Sequence, residues 1–386
     1  MVCVAAFIVL CLIGIFVAFL SIFRRDIGRK YWQVFKKAWG CVGKKVRLQK
    51  CDTNFKDDVK NTLLKKVVLK KPKLVKPLSI TIEVTAILIV FVTIWSLVET
   101  VKAGLALWTF GTCNVSQPAS CALGAEACSI DEDEPKNIIE STGRWFSEWG
   151  EIFGAIPDRL KDWHAEDYTP TPYTLLNKIE PDASTAERSA LDTLPLAVDI
   201  IDPGCSVCMQ SYKNQLSSGF MDTHRVALVP YAIEKEDGSY KFPNSGIVVR
   251  YLLADPLLRE DVSKKNQSDD SNPDDEQLDI TTLEKADLAR NILNRIFTES
   301  NEDGINYQAV LNDELSEEKA EDLLKSWLKE WGLSDAQVDT YVDFTHSDQV
   351  TKRMTDIKDM VENKIHAKSI PTLIYDGQKH NGLFKA

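Results

Sequence analysis

Three kinds of hydrophobic patterning follow one another along this 386-residue chain. Residues 2–23 form an apolar run without a charge, and residues 78–98 form a second one broken only by Glu83. At about 1.5 Å per helical residue, either run crosses a hydrocarbon core of roughly 30 Å, which predicts two transmembrane helices, over 1–23 and 78–107. Residues 194–201 and 224–233 are short and too apolar for loops, which predicts buried strands. From Ser245 onward the spacing turns helical, with residues 245–254 opening a long stretch and segments 282–298, 316–331, 334–344 and 348–366 continuing it. Ser316, Ser334 and Ser347 are N-cap candidates there.

Less regular segments join these parts. Residues 135–163 carry Trp145, Phe146, Trp149, Phe153 and Trp163 among charges and predict an amphipathic helix, packed on a domain or lying at a membrane interface. Residues 168–191, with a Thr-Pro-Thr-Pro stretch, read as a linker. Residues 264–276 have no apolar residue to bury and read as a disordered acidic loop.

Charge then orients the chain. Residues 24–76 hold 18 Lys+Arg against 4 Asp+Glu, whereas residues 108–386 hold 27 against 51. The positive-inside rule places the basic loop 24–77 in the cytosol and the C-terminal part outside, in an oxidising compartment. The first run lacks a basic leader, and its positive charges follow it, so it reads as a retained anchor of a cell-membrane protein. Beside two spans the loop is expected to meet anionic membrane lipid, and no nucleic acid is expected as a partner. Glu83, and Glu99 with Lys102 at i,i+3 spacing, sit near the ends of the second span and read as structural polar residues. The expected division is thus spans 1–23 and 78–107, loop 24–77, an outer segment 108–190 and a domain 191–386.

The chemistry concentrates in that domain. After the breaker Asp202-Pro203-Gly204 comes Cys205-Ser206-Val207-Cys208, followed by helix-forming residues with Tyr212 and Leu216 on one face. A C-x-x-C at a helix start lets the positive end of the helix stabilise a thiolate, below the free-thiol pKa of about 8.5. Much later, Ile370-Pro371-Thr372-Leu373-Ile374-Tyr375-Asp376-Gly377 combines a proline-led strand with Asp-Gly, a strong hairpin signal.

These segments resemble the thioredoxin superfamily, and the more than 160 residues between the two motifs resemble the helical insertion of DsbA-like thiol–disulfide oxidoreductases. The resemblance implies an α/β, thioredoxin-like fold with a helical insertion over about 245–368, preceded here by the two transmembrane helices. It implies that Cys205 attacks and Cys208 resolves. Asp199, six positions before Cys205, would be a buried carboxylate of raised pKa that takes the proton of the resolving thiol. Pro371 would be cis, with Ile370 offering backbone groups to an extended substrate peptide. The reaction implied needs no cofactor and no metal; its partners would be cysteine-containing exported proteins and a redox partner that recycles the site. The chain also departs from the family. Gly204 stands where the family carries an aromatic residue, and Ser206-Val207 has neither the His of DsbA nor the Pro of thioredoxin, so the dipeptide leaves the redox direction open. No closing helix follows the last strand, so either that helix is dispensable or the chain is a fragment.

The remaining cysteines divide by compartment. Cys3 and Cys11 read as packing residues of the first span, and Cys41 and Cys51 as free thiols, or as half of a zinc site shared between two chains. Cys113, Cys121 and Cys128 cluster beyond the second span. Two of them could form a structural disulfide and leave one over, or a pair could exchange with Cys205 and Cys208. The five histidines are scattered, and no Ser-His-Asp pattern or phosphate-cradling glycine loop occurs. The rival to an enzyme is a thioredoxin-like membrane scaffold or binding module in which Cys205 and Cys208 form a static disulfide. A metal-binding C-x-x-C would need further ligands brought near Cys205.

Overall fold

The computed structural model describes Trp32, Lys36, Trp39 and residues 75–115, 127–130, 137–177, 185–235, 237–267, 283 and 286–385. The expected first span, Cys3, Cys11, Cys41, Cys51, Cys121 and the acidic segment beyond Gln267 lie outside these residues. The chain divides into two compact units, Met1–Lys102 and Ala103–Ala386.

Helix α1 (Val75–Phe110) covers the second apolar run. Its stretch Ile87–Phe110 is long and apolar enough to cross a membrane by length and composition, and among the described residues it is the one such helix. Phe91, Val92, Ile94 and Leu97 lie exposed on it. At its end Ala106 and Phe110 are buried with Val115 and with Ile152 and Ala155 of helix α2 (Ile138–Leu160). Helix α2 is the amphipathic element expected over 135–163. Asn137 caps it by accepting from the Glu140 N–H at 2.8 Å, and Phe146 and Phe153 remain exposed, so it packs by one edge.

The strands, in chain order, are β1 (Cys128–Ser129), β2 (Thr174–Leu175), β3 (Leu196–Ile201), β4 (Arg225–Pro230), β5 (Ser369–Ile370), β6 (Thr372–Tyr375) and β7 (Gln378–Asn381). Five of them form one sheet in the order β2-β4-β3-β6-β7. β3 and β4 run parallel, from Leu196 opposite Arg225 to Ile201 opposite Pro230. β6 lies antiparallel on the other side of β3, Ile200 facing Thr372. β6 and β7 form the expected hairpin, with φ of 50° at Asp376 and 74° at Gly377, the positive pair that a tight two-residue turn needs. The parallel strands β3 and β4 are buried almost throughout because helices cover the sheet, which accounts for their unbroken apolar sequence.

Between β4 and β5 the chain is mostly helical. It contains α5 (Ser245–Gln267), α6 (Leu288–Thr298), α7 (Glu317–Glu330), α8 (Asp335–Thr345) and α9 (Asp348–Asp359). Two helices come before this region, α3 (Thr185–Asp192) and α4 (Ser206–Ser218). Ser334 makes a full capping box with Gln337, and Ser347 accepts from the Val350 N–H, whereas Ser316 starts α7 without a side-chain cap. Asp255 joins α5 to α6: it holds Arg259 at 2.9 and 3.0 Å and accepts from the Ala289 N–H at 3.0 Å.

Several expectations need correction. Residues 168–191 are no plain linker, since β2 pairs antiparallel with β4 and Arg353 donates to the carbonyls of Pro170, Thr171 and Pro172. Two residues are too short a strand to leave a periodic signal. Leu216 does not share the buried face of Tyr212; it is 45% exposed. The helix expected over 282–298 has Asp287 at φ 41°, which separates α6 from what precedes it. The last insertion helix ends at Asp359 and passes into a π-helical turn, Met360–Lys364. Residues 264–267 belong to α5 rather than to an acidic loop.

Gly204 has a packing reason. A Cβ built there would collide with the Cβ and Cγ of Phe242, close to the backbone where the ring cannot swing aside. Gly204→Ala is expected to cost about 1–3 kcal/mol in denaturant unfolding, and Phe242→Ala in the same chain should recover part of it. Equal midpoints for Gly204→Ala and the native chain would contradict this account.

Candidate functional site

The site forms where β3 ends. Asp202, Pro203 and Gly204 turn the chain, and α4 starts with Cys205 in the N-cap position, its first turn free of acidic side chains. The Cys205 N–H donates to the Asp202 carbonyl at 3.0 Å, and the Met209 N–H to the Cys205 carbonyl at 3.1 Å. The helix thus directs its unpaired first-turn N–H groups toward Cys205, a setting that favours a thiolate there.

The sheet brings the second motif to the same place. With Ile200 opposite Thr372, β6 runs back to the Ile370–Pro371 bond, which is cis, and the Ile370 carbonyl lies 4.0 Å from Cys205 Sγ. Cys205, Cys208 and Ile370 are all fully buried.

Cys205 is not bonded to Cys208. Its disulfide partner is Cys128, 77 positions earlier, and Cys208 is a free, buried thiol. Cys128 therefore does not pair within the 113/121/128 cluster, though Cys113 is itself disulfide-bonded. The reason is a strand pairing: β1 lies antiparallel to β5, with Cys128 opposite Ile370 and Ser129 opposite Ser369. The Ile130 N–H donates to the Lys368 carbonyl at 3.1 Å, and Lys241 Nζ donates to the Ser129 carbonyl at 3.1 Å.

Behind the cysteines sit two buried carboxylates. Asp199, on β3, accepts from Gln215 Nε2 of α4 at 2.8 Å, while its other oxygen, Oδ1, is buried without a hydrogen-bond partner. Burial pushes its pKa up to about 7, against the lowering effect of Gln215. Asp202 accepts from the Gly204 and Ile233 N–H groups, each at 2.8 Å, and from Ser245 Oγ. Burial raises it too, to about 6, with these hydrogen bonds opposing. The Cys208 thiol is raised well above the usual thiol range, first by burial and then by the negative charges of Asp202 and Asp199.

The insertion clamps the turn. Gln308 Nε2 donates to the Pro203 carbonyl at 2.7 Å and to the Cys205 carbonyl at 3.1 Å, and Asn312 Nδ2 donates to the Gly204 carbonyl at 2.8 Å. Gln308, Asn312 and Asp202 escaped the sequence reading. The first two act from a hundred positions away with no motif around them, while Asp202 had a signal in its position beside the turn.

Strand order, the parallel β3–β4 pair, the helix starting at Cys205, the cis proline facing it and the helices between β4 and β5 define a thioredoxin-like fold with a DsbA-like insertion. Among solved structures, the chain is similar to a thioredoxin-like oxidoreductase from Silicibacter pomeroyi DSS-3, with 12% identity, TM-score 0.29, and 49% of this chain and 79% of that one covered. It is also similar to the thiol-disulfide exchange protein alpha-DsbA2 from Wolbachia pipientis, with 13% identity, TM-score 0.32, and 57% and 85% covered. A third is MdbA, a thiol-disulfide oxidoreductase from Corynebacterium matruchotii, with 17% identity, TM-score 0.32, and 56% and 92% covered. No family model and no curated protein matches the sequence.

The raised pKa of Asp199 has a stability consequence. Its folded value, about 7, lies above the ordinary 3.8, so the folded state holds the proton that the unfolded state releases. This contribution is fully present below about pH 4 and is lost as the pH rises through about 7, a change on the order of a few kcal/mol. Thermal unfolding from pH 5 to pH 8 should show a falling midpoint, and Asp199→Asn should flatten that fall and be the more stable chain at pH 8. Parallel curves for the two proteins would contradict the assignment.

Proposed function

We propose that this chain is a thiol–disulfide oxidoreductase that uses Cys205 and Cys208 on cysteine-containing exported proteins. The observation that carries the reading is the placement of Cys205, at a helix N-terminus and 4.0 Å from the carbonyl that precedes a cis proline. In the oxidising direction a substrate thiolate attacks Cys205 of an oxidised Cys205–Cys208 pair, Cys208 leaves, and the substrate's second thiol releases the product. In the reducing direction the Cys205 thiolate attacks a substrate disulfide and Cys208 resolves the mixed disulfide. Asp199 would exchange the proton of Cys208, which burial otherwise keeps as a thiol. Ile370 and Pro371 would position an extended substrate backbone.

The same reading puts the domain outside the cytosol, tethered to the cell membrane. Its support is the charge contrast between residues 24–76 and 108–386 and the apolar helix Ile87–Phe110. An additional partner that resets Cys205–Cys208 after each turnover is part of the proposal.

One observation favours a second reading. Cys205 is fully buried and already bonded to Cys128, as in a scaffold held by a static disulfide. Equilibration of the full chain, in detergent, against glutathione buffers separates the two. An oxidoreductase should titrate reversibly, near about −120 mV for an oxidase or about −270 mV for a reductase. Cys128→Ser/Cys208→Ser, oxidised with glutathione, should accumulate mixed disulfides with a reduced, unfolded model protein, and Cys205→Ser should form none. A chain that neither titrates nor captures substrate is a scaffold.

A further inference from the structure

The bond between Cys128 and Cys205 joins the cluster beyond α1 to the site, and its surroundings say what that join does. Residues 127–130 do more than touch Cys205. They run as a strand against β5, pair Cys128 with the residue just before the cis proline, and bury Ser129 to 2% exposure. The sulfur of Cys128 bonds Cys205 while the Cys128 backbone stands opposite Ile370 in the β1–β5 pairing. In position and covalent bond, this segment occupies the place that the proposed function gives to a substrate.

We infer that residues 127–130 are a built-in substrate for this site, and that Cys128 is a third exchanging cysteine which Cys208 expels to open the groove. The inference rests on the oxidoreductase reading above. The step is an isomerisation. Cys208 loses its proton, and its sulfur attacks Cys205 Sγ. The Cys205–Cys208 bond forms and the Cys128–Cys205 bond breaks. The electron pair leaves on Cys128 Sγ, which takes up the proton that Cys208 released. One disulfide and one thiol stand on each side, so no external oxidant or reductant is consumed. Cys208 is suited to the attack, because it is the free thiol one helical turn from Cys205 on α4. Asp199 and Asp202 lie close enough for their charges to act on Cys208, and they are the acidic groups that can relay its proton.

Two consequences follow. With β1 in place the oxidised chain is closed to other peptides; with Cys205–Cys208 formed it is an open oxidant. The groove is also fitted to a chain of the Ala-Cys-Ser-Ile type in the antiparallel register of β1, with a small residue before the cysteine, since Ala127 is buried.

The test uses the full chain in detergent and a synthetic peptide with the sequence of residues 124–133. An intramolecular thiol competes at an effective concentration on the order of millimolar, so a peptide at about 100 μM should be suppressed about tenfold or more. Cys128→Ser/Cys208→Ser, oxidised with glutathione so that Cys205 carries a leaving group, should capture the peptide at least about tenfold faster than Cys208→Ser treated alike. If both capture it at one rate, the built-in-substrate inference fails and the oxidoreductase reading stands; if neither captures it or exchanges with glutathione, that reading fails. A second measurement needs no change at Cys128. Timed alkylation of the native oxidised chain should label Cys128 progressively, and Cys208→Ser should abolish the labelling. Equal labelling of Cys128 in both chains would overturn the role given to Cys208.

Discussion

Everything at the candidate site depends on the pairing of β3 with β6. That antiparallel register, Ile200 opposite Thr372, brings together two segments some 165 residues apart and sets the carbonyl of Ile370 against Cys205. The energy behind it is apolar burial: β3, β4 and β6 are covered on both faces, and Val198, Ile200, Val226, Val229 and Ile374 have no solvent exposure. At the end of β3 the chain turns into α4, and Gly204 leaves the room that Phe242 takes beside that turn.

The frame also explains the cost of the acids behind it. Asp199 and Asp202 lie in a region that water does not reach, and each is partly compensated, by Gln215 in one case and by two N–H groups and Ser245 in the other. The unpaired oxygen of Asp199 is the least compensated part of the set. A carboxylate so placed holds its proton up to near neutral pH. The same desolvation costs the folded chain stability once this carboxylate ionises.

Much of this was legible in the sequence, where the signals are local. The strand before Cys205, the breaker Asp202-Pro203-Gly204, the proline-led strand at Pro371 and the Asp376-Gly377 turn are each written within ten residues, and helical spacing announced the insertion. What was not legible is nonlocal. Nothing around Thr174 or Cys128 marks a two-residue strand, because such strands exist only through a partner supplied by the rest of the fold. From spacing alone Cys128 falls in a cluster with Cys113 and Cys121, open to a disulfide within it or to exchange with Cys205–Cys208, and the bond Cys128 makes with Cys205 is not singled out. Which cysteines meet is decided by strand pairing, and C-x-x-C spacing alone does not reveal a third cysteine. Gln308 and Asn312 illustrate the same limit: they hold the turn at Pro203–Cys205 through carbonyl groups, which carry no sequence signature.

The account turns on the bond between Cys128 and Cys205, and disulfide mapping tests it most directly. The full chain would be quenched in acid to stop exchange, alkylated while unfolded, digested without reduction and read by mass spectrometry. The structure predicts a cross-linked peptide joining Cys128 to Cys205, with Cys208 alkylated. A chain in which Cys128 is alkylated or bonded only within its own cluster, and never joined to Cys205, would contradict it.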